Sequence, residues 1–209
     1  MLDCYLVPWQ ERVLQLPGRW LAGNGVSANA VTIVGFVTGL LAVPSIALHH
    51  YSLGLAFIAV NRLLDGLDGA IARESGPTDR GAFLDIALDF FLYATIPFAF
   101  ALADPAANGL AASALLLSFV GTGSSFLGFA VIAQKRGLSS TAMPKKGMYY
   151  LGGITEGAET IALFVLLCLL PGAFTILASV FAVFALVTTV ARWWWGWSAF
   201  AGPANPGKP

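Results

Sequence analysis

The sequence predicts an all-α integral membrane protein, with six transmembrane helices preceded by a short amphipathic interfacial helix. Of the 209 residues, 57% are hydrophobic and 11% are charged, whereas a soluble domain typically carries about 25% charged residues. The apolar residues come in long blocks of the length that crosses a bilayer. Ten of the eleven basic residues fall at the ends of these blocks or in alternate connections between them. Together these observations indicate a multi-span membrane protein.

Residues 1–28 are predicted to lie in the membrane interface. Apolar side chains recur there among charged and polar positions, at Leu2, Leu6, Trp9, Val13, Leu16 and Trp20. This pattern is typical of an amphipathic helix on a membrane surface, and a frayed N-terminus is the alternative. We expect the helix to cover residues 2–22 and to break near Pro17-Gly18. No sustained apolar core is present, so a cleavable signal peptide is not predicted.

The six spans are predicted to follow one another without an intervening soluble domain. Their approximate ranges are 29–48, 52–73, 79–101, 108–133, 147–170, and a last helix from the Pro171-Gly172 turn to about residue 195. Ser27 is a plausible N-cap for the first span. Residues 29–195 would form a six-helix bundle within a single domain of residues 1–200. The tail 201–209, rich in Pro, Gly and Ala, is predicted to be disordered.

The basic residues predict the orientation of the chain. Of the eleven Lys and Arg residues, Arg62 lies inside the second span. The other ten precede the first span, lie in the 2–3 or 4–5 connection, or lie at and beyond the end of the last span. Because cytoplasmic connections are enriched in Lys and Arg, both termini and the 2–3 turn are predicted to face the cytoplasm, with the protein in the cell membrane.

Four aspartates lie inside the second and third predicted spans: Asp65, Asp68, Asp85 and Asp89. Carboxylates at membrane depth are unfavourable and usually functional. Each pair is three or four residues apart, so its two members share one helix face. Both pairs also lie at a similar depth in the membrane. Asp65, for example, lies about 12 Å along its helix from the cytoplasmic end. In a helical hairpin they would form a four-carboxylate cage, which suits hard cations such as Mg²⁺ or Mn²⁺.

The same stretch carries a longer motif. It reads Asp65-x-x-Asp68-Gly69-x-x-Ala72-Arg73, then Gly81-x-x-x-Asp85-x-x-x-Asp89. This motif resembles the signature of the CDP-alcohol phosphotransferase family of integral membrane enzymes. Seven residues separate Arg73 from Gly81, where the usual pattern has eight. The missing residue falls in the polar turn around Gly76-Pro77, where a length change is best tolerated.

The resemblance implies a metal-dependent transfer of a phosphatidyl group from a CDP-alcohol to a hydroxyl acceptor, with release of CMP. The expected donor is CDP-diacylglycerol, and the expected setting is phospholipid biosynthesis. By the resemblance, Asp65, Asp68, Asp85 and Asp89 would hold two Mg²⁺ or Mn²⁺ ions, and Asp89 would also be the catalytic base. A homodimer is implied in the same way.

The resemblance also implies a CDP pocket shaped by Asn29, Thr32, Gly69, Ala72, Arg73 and Gly81. Simpler structural roles are the alternatives. These are helix capping for Asn29 and Thr32, close helix packing for the glycines, and a cytoplasmic anchor for Arg73. Arg62, one turn before Asp65, is predicted to balance the carboxylates when metal is absent.

Two groups of residues are candidates for binding the acceptor. Lys135 and Arg136 lie in the 4–5 connection. In members of the CDP-alcohol phosphotransferase family that use phosphorylated acceptors, basic residues near this place hold the acceptor phosphate. The alternative is that these residues only mark the connection as cytoplasmic. Glu156 and Glu159 are predicted to lie inside the fifth helix. They would either bind an amine or polyol acceptor or pair with Arg62 or Arg192 as part of the structure.

Other functional classes are weaker interpretations of the same carboxylates. An ion-coupled transporter also uses acidic residues inside helices, but no inverted repeat is visible. A membrane prenyltransferase uses aspartates and magnesium with a different motif spacing. A non-catalytic relative is disfavoured because all eight signature residues are present. The zero net charge argues against a nucleic-acid partner.

Overall fold

The computed structural model describes residues 3–137 and 153–202, and within these two ranges all of the regular structure is helical. The α-helices are α1 (Asp3–Gly23), α2 (Ala28–Leu40), α3 (Ala42–Ala47), α4 (Tyr51–Ser75), α5 (Asp79–Ala103), α6 (Pro105–Lys135), α7 (Gly157–Leu169) and α8 (Phe174–Ala199). A short 3₁₀ turn, Pro171–Ala173, joins the last two. The prediction of an all-α chain is confirmed for these residues. The predicted tail lies almost wholly outside them.

Four segments of the described chain are long and apolar enough to cross a membrane: Ala28–Ala47, Asp79–Ala103, Pro105–Lys135 and Pro171–Ala199. The chain is therefore a multi-pass membrane protein. α4 is 25 residues long, about 37 Å at about 1.5 Å per residue, but it carries several charged side chains. α7 has 13 residues, about 20 Å, which is less than the roughly 30 Å of hydrocarbon core. The count of six spans stays a prediction.

The N-terminal helix differs from the prediction, because α1 runs through Pro17-Gly18 without a break. Its inner face packs against α4. Leu14 is buried there, and Arg19 Nε donates to Glu74 Oε1 at 2.7 Å. Gly18 lies so close to α4 that a Cβ atom would be 2.6 Å from the Cβ of Ala70. We infer that this packing compensates the hydrogen bond that Pro17 cannot donate.

Replacement of Gly18 by leucine is therefore expected to destabilise the protein. The added side chain cannot fit between α1 and α4, and overpacking of this kind costs about 1–3 kcal/mol. Thermal unfolding in detergent, followed by tryptophan fluorescence, measures the change. Gly23→Leu is the matched control, since a Cβ there has no atom within 4 Å. Equal stability of the two variants would contradict the packing of α1 on α4.

The first predicted span is divided into α2 and α3 at Leu41. Pro44 lies in the first turn of α3 and has no N–H to donate to the carbonyl of Leu40, so the regular ladder is interrupted there. The chain direction is kept, because Leu41 itself has helical φ and ψ angles of −67° and −16°. The two helices together cover the length that the sequence predicts for one span.

The shortened spacing of the motif falls in the turn between α4 and α5. α4 ends at Ser75, and Gly76 has a φ of +92°, a conformation that glycine adopts at little cost. Thr78 then caps α5, because its Oγ1 accepts a hydrogen bond from the N–H of Gly81 at 3.1 Å. Both helices are continuous on either side of this turn, so the spacing within each aspartate pair is kept.

The apolar core fills the end of the bundle away from this turn. Tyr51 at the start of α4 stacks on Phe100 near the end of α5 with ring centroids 5.7 Å apart. Phe100 in turn stacks on Phe174 of α8 at 4.7 Å. Since Asp65 lies fourteen residues after Tyr51, about 21 Å along α4, one end of the bundle is closed and apolar. The carboxylates lie towards the other end.

The fifth predicted helix is shorter than expected, because residues 153–156 are not helical and α7 begins at Gly157. The cause is a capping box. The side chain of Glu156 accepts from the backbone of Glu159, and Glu159 Oε2 accepts from the N–H of Glu156 at 3.1 Å. Glu156 Oε1 also accepts from the N–H of Gly153 at 2.7 Å. These bonds satisfy the first donors of the helix and fix its start; residues 147–152 lie outside the described part.

Candidate metal and nucleotide site

Three of the four predicted carboxylates converge between α4 and α5. One carboxylate oxygen from each of Asp65, Asp85 and Asp89 lies within 4.8 Å of the others. Asp65 comes from α4, whereas Asp85 and Asp89 are one turn apart on α5. α2 packs against both helices and forms the third wall of the site. The short turn between α4 and α5 thus brings Asp65, Asp85 and Asp89 to the same level along the two helices.

Asp68 lies one turn beyond Asp65 on α4 and is 6% exposed. Its Oδ2 atom accepts no hydrogen bond, which is an unfavourable state for a buried carboxylate. All four aspartates line one narrow cavity of about 10 Å³, the space of a single water molecule. An unsatisfied anionic oxygen beside such a space is what a metal ligand presents before its cation binds.

Within the described ranges, the basic side chain that lies against this cage is that of Arg62. Its Nη2 donates to Asp89 Oδ1 at 2.6 Å, and its Nη1 donates to Asp89 Oδ2 at 3.3 Å. Nη1 also lies 3.5 Å from Asp65 Oδ2. The guanidinium therefore forms a two-pronged ion pair with Asp89 across the α4–α5 gap.

Two further residues hold the Arg62 side chain. Its Nε donates to Asn61 Oδ1 at 2.7 Å, and the Asn61 amide donates to the carbonyl of Gly35 on α2 at 2.9 Å. The guanidinium carbon lies 5.3 Å from the ring centroid of Tyr93, and Nη1 lies 3.3 Å from the Tyr93 hydroxyl. Arg62 is thus held at its Nε atom by Asn61 and at its guanidinium group by Tyr93, independently of the carboxylates.

The residues present fit a divalent-metal centre. Four carboxylates lie close together here, and such a concentration of acidic groups is costly inside a helical bundle unless cations compensate it. The ligands offered are carboxylate oxygens, the type that Mg²⁺ and Mn²⁺ prefer. The close approach of three oxygens and the unbonded Oδ2 of Asp68 are the two observations that favour cation binding over a purely structural ion pair.

A larger cavity of about 370 Å³ adjoins this cage. It lies between the start of α2, the end of α4 and the start of α5. Two of the aspartates, Asp68 and Asp85, line it. So do five of the six residues predicted to shape a nucleotide pocket: Asn29, Thr32, Gly69, Ala72 and Gly81. The predicted set, scattered over three helices, is therefore brought to one cavity next to the carboxylates.

Arg73, the sixth residue of that set, does not line this cavity. Its Nη1 lies 3.5 Å from Glu11 Oε1 of α1, and it borders a separate pocket between α1 and α4. The same Nη1 would be 3.4 Å from a Cβ atom at Gly69. The side chain thus lies beside the cavity residue Gly69 while it pairs with the N-terminal helix.

Of the basic residues proposed for the acceptor, Lys135 and Arg136 are described by the structure. Lys135 is exposed at the end of α6. Arg136 Nη2 donates to the carbonyls of Phe200 at 2.9 Å and Gly202 at 3.0 Å, and its guanidinium stacks on the Phe200 ring. The structure therefore uses Arg136 to join the ends of α6 and α8, and it does not bring these two residues to the aspartates.

Glu156 and Glu159 were expected inside a helix; this is wrong for Glu156, which is the N-cap of α7, and confirmed for Glu159, which lies in its first turn. Both take part in the capping box at the start of α7. Glu156 also lines a second cavity of about 590 Å³ together with Thr155, Thr160, Arg192 and Tyr93, whereas Glu159 does not. Tyr93, which lines this cavity, also lies against Arg62, so the cavity borders the Arg62–Asp89 pair.

Sequence reasoning missed the roles of Asn61, Tyr93 and Gly35 around Arg62. Tyr93 lies four residues after Asp89, so it shares the face of α5 that carries the aspartates, and this spacing was a usable signal. The Asn61–Gly35 bond joins residues 26 apart in sequence. No local pattern announces such a contact, because it depends on how α2 crosses α4.

Comparison with known proteins gives a consistent result. A family model described as CDP-alcohol phosphatidyltransferase matches residues 25–191. The inner membrane protein YnjF of Escherichia coli K12 is 49% identical over 197 residues, which is 94% of this chain and 96% of that protein. An archaetidylinositol phosphate synthase of Pyrococcus horikoshii is 38% identical over 96 residues, 46% of this chain and 51% of the synthase.

Two crystal structures of the phosphatidylinositol phosphate synthase PgsA1 of Mycobacterium tuberculosis share the fold. One, in complex with manganese and citrate, superposes with a TM-score of 0.72 at 24% identity, over 94% of this chain and 96% of that one. The other, with CDP-DAG bound, gives a TM-score of 0.65 at 22% identity, over 90% and 94% of the two chains. At this identity the likeness establishes the arrangement of the helices.

Proposed function

The chain belongs to the CDP-alcohol phosphatidyltransferase family, and from this premise we propose that it transfers a phosphatidyl group from CDP-diacylglycerol to a hydroxyl acceptor in phospholipid biosynthesis. The observation that carries the proposal is the adjacency of two features. The four signature aspartates line one narrow cavity, and five of the six residues expected at the nucleotide line the cavity next to it. A synthase with the same fold has been crystallised with CDP-DAG.

In the proposed reaction, the acceptor hydroxyl oxygen forms a bond to the phosphorus that carries the diacylglycerol. The bond from that phosphorus to the oxygen of CMP breaks, and CMP leaves. Asp89 takes the proton of the hydroxyl, since it lines the narrow carboxylate cavity and shares the contact of Arg62 with Tyr93. Two divalent ions, when bound by the four aspartates, would neutralise the charge on the pyrophosphate.

The small residues around the nucleotide cavity have a positioning role. The lack of side chains at Gly69 and Gly81 lets a ligand approach the backbone of α4 and α5 closely. Asn29 Oδ1 faces Gly81, because a Cβ atom there would lie 3.0 Å from it. Thr32 and Asp68 line both this cavity and the cage. Positioning and electrostatics supply most of the catalysis in phosphoryl transfer.

A bulky side chain at position 81 is therefore expected to impair donor binding. Gly81→Leu would fill the cavity beside Asn29 and raise the KM for CDP-diacylglycerol by about tenfold or more, with a smaller change in kcat. Steady-state kinetics over a range of donor concentrations measures both. Gly109→Leu is the control, since a Cβ there meets no atom within 4 Å. An unchanged KM for Gly81→Leu would place the nucleotide elsewhere.

We further propose that the site faces the cytoplasm, with both chain termini on that side, and that the protein acts as a homodimer in the cell membrane. The distribution of Lys and Arg supports the orientation. The exposed face of α1 supports an interfacial position for that helix, since Trp9, Val13, Leu16 and Trp20 are all more than half exposed and suit the headgroup region. A water-soluble acceptor would then enter from the cytoplasm while the lipid tails of the donor stay in the bilayer.

Product identification tests the acceptor. Purified protein would be incubated with CDP-diacylglycerol, Mn²⁺ or Mg²⁺, and one acceptor at a time: glycerol 3-phosphate, serine, inositol, inositol phosphate or phosphatidylglycerol. A new lipid that forms with one acceptor, in step with CMP release, identifies the reaction. CMP release that needs no acceptor would instead indicate hydrolysis of the donor and would contradict a transferase with an acceptor from this set.

A further inference from the structure

We propose that Arg62 is a built-in counter-cation that holds the carboxylate cage in its metal-free form and must release Asp89 before that carboxylate can bind a divalent ion. The inference rests on the proposed metal function of the aspartates and adds to it. It gives metal binding an internal competitor, supplied by the chain itself. Arg62 is not one of the eight residues of the family signature.

The first argument is the geometry of the Arg62–Asp89 pair. Both oxygens of Asp89 are engaged by the guanidinium, at 2.6 Å and 3.3 Å. Paired donors of this kind are stronger and more directional than a single charged hydrogen bond. The Arg62 side chain is 16% exposed and that of Asp89 is 32% exposed, so solvent screens the pair only partly. Asp89 is thus held in a defined position without any metal.

The second argument is competition for the same oxygens. A divalent ion at Asp89 needs the lone pairs that the guanidinium now occupies, and two cations at contact distance repel each other. Asp68 is different, because Arg62 contacts Asp89 and Asp65 and Asp68 is not among its partners. A first ion can therefore use Asp68 while Arg62 stays in place. Binding that recruits Asp89 must break the ion pair and should be weaker.

The third argument is that Arg62 is anchored by groups outside the cage. Asn61, itself tied to the Gly35 carbonyl, accepts from Nε, and Tyr93 lies against the guanidinium. These contacts do not depend on Asp89. The guanidinium therefore has a second set of partners, Asn61 and Tyr93, that keep it near the site when Asp89 binds a metal.

Manganese binding to the metal-free protein tests the proposal. Isothermal titration with Mn²⁺ would compare the wild type with Arg62→Gln, and with Arg12→Gln as a control for the lost charge, because Arg12 is exposed on α1. We expect the weaker binding step to be roughly tenfold tighter in Arg62→Gln, since its competitor is gone. Arg12→Gln should bind Mn²⁺ as the wild type does.

Thermal unfolding with and without Mn²⁺ separates competition from a merely structural ion pair. Arg62→Gln should lower the Tm of the metal-free protein, because the carboxylates then repel each other unopposed. Saturating Mn²⁺ should abolish most of that difference, since the metal replaces the missing charge. Arg62→Lys keeps the charge but loses the fork, and its Mn²⁺ affinity should fall between the two. It also provides the measurement if the glutamine variant does not fold.

Two results would overturn the proposal, and they have different meanings. Equal or weaker Mn²⁺ binding in Arg62→Gln or Arg62→Lys, or a Tm loss that Mn²⁺ leaves unchanged, would show that Arg62 is only structural. Metal function of the cage would then stand. An absence of Mn²⁺ binding in the wild type would contradict the metal site itself, and with it the proposed function.

Discussion

Asp89→Asn is expected to reduce CMP release by at least about 10³-fold. The amide cannot accept the acceptor proton, and general-base catalysis alone contributes about 10²–10⁴-fold. The same change removes the charge that pairs with Arg62 at 2.6 Å and weakens a proposed metal ligand. The rate of CMP release from CDP-diacylglycerol, with the acceptor that supports turnover, is the measurement.

The matched control for Asp89→Asn is Asp79→Asn. Both residues are aspartates on α5. Asp79, however, lies in the first turn and lines neither the narrow carboxylate cavity nor the larger cavity next to it. Its activity should stay within about twofold of wild type, while removal of a favourable charge from the helix N-terminus costs at most about 1 kcal/mol. Activity of Asp89→Asn near that of the control would exclude Asp89 as the base.

Asp68→Asn is expected to separate stability from function. Asp68 is buried and its Oδ2 accepts no hydrogen bond, so in the metal-free protein the charge is a liability. The neutral amide should leave the Tm of the metal-free protein unchanged or raise it. Removal of a poorly compensated buried charge can stabilise a protein by about 1–2 kcal/mol. Mn²⁺ affinity should fall by roughly 100-fold or more, because one direct ligand loses its charge.

Thermal unfolding and Mn²⁺ titration on the same preparations check this pair of effects. Asp104→Asn is a suitable comparison, since Asp104 caps α6 through Ala107 at the start of that helix and asparagine caps equally well. A variant Asp68→Asn that is clearly less stable without metal, yet binds Mn²⁺ normally, would show that Asp68 is a structural residue.

Much of the fold follows from the sequence because bilayer length and apolar blocks constrain helices strongly. The ranges of α4 and α5 were predicted to within about two residues, since the polar turn with Gly76 and Thr78 defines their ends. At the N-terminal helix, where the prediction was wrong, a tertiary contact decided the outcome. Pro17-Gly18 reads locally as a break, but the packing of Gly18 on Ala70 allows α1 to continue.

The start of α7 shows a second limit. Glu156 and Glu159 read as carboxylates inside a helix, because the apolar residues around them extend the periodic pattern. The spacing of three residues is equally that of a capping box, and the structure uses it in that way. A pair of acidic residues three apart is therefore ambiguous until the start of the helix is known.

The candidate site was predictable in composition but not in electrostatics. Helical spacing places Asp65, Asp68, Asp85 and Asp89 on facing sides of two helices. Arg62 was predicted to balance these carboxylates, and it does pair with Asp65 and Asp89. Its main pairing with Asp89 on the other helix and its support by Asn61 and Tyr93 depend on its rotamer, which no sequence rule fixes. The position of Arg73, paired with Glu11 of α1, likewise depends on how the N-terminal helix packs.

The most direct test of the central claim is metal-dependent release of CMP. Purified protein in detergent would receive CDP-diacylglycerol and the acceptor panel, first with Mn²⁺ or Mg²⁺ and then with excess EDTA. We expect CMP to form with metal and one acceptor, to stop with EDTA, and to be absent in Asp89→Asn. CMP formation that persists with EDTA or in Asp89→Asn, or no CMP with any acceptor, would contradict the assignment of the aspartate cage as a metal-dependent phosphatidyl-transfer site.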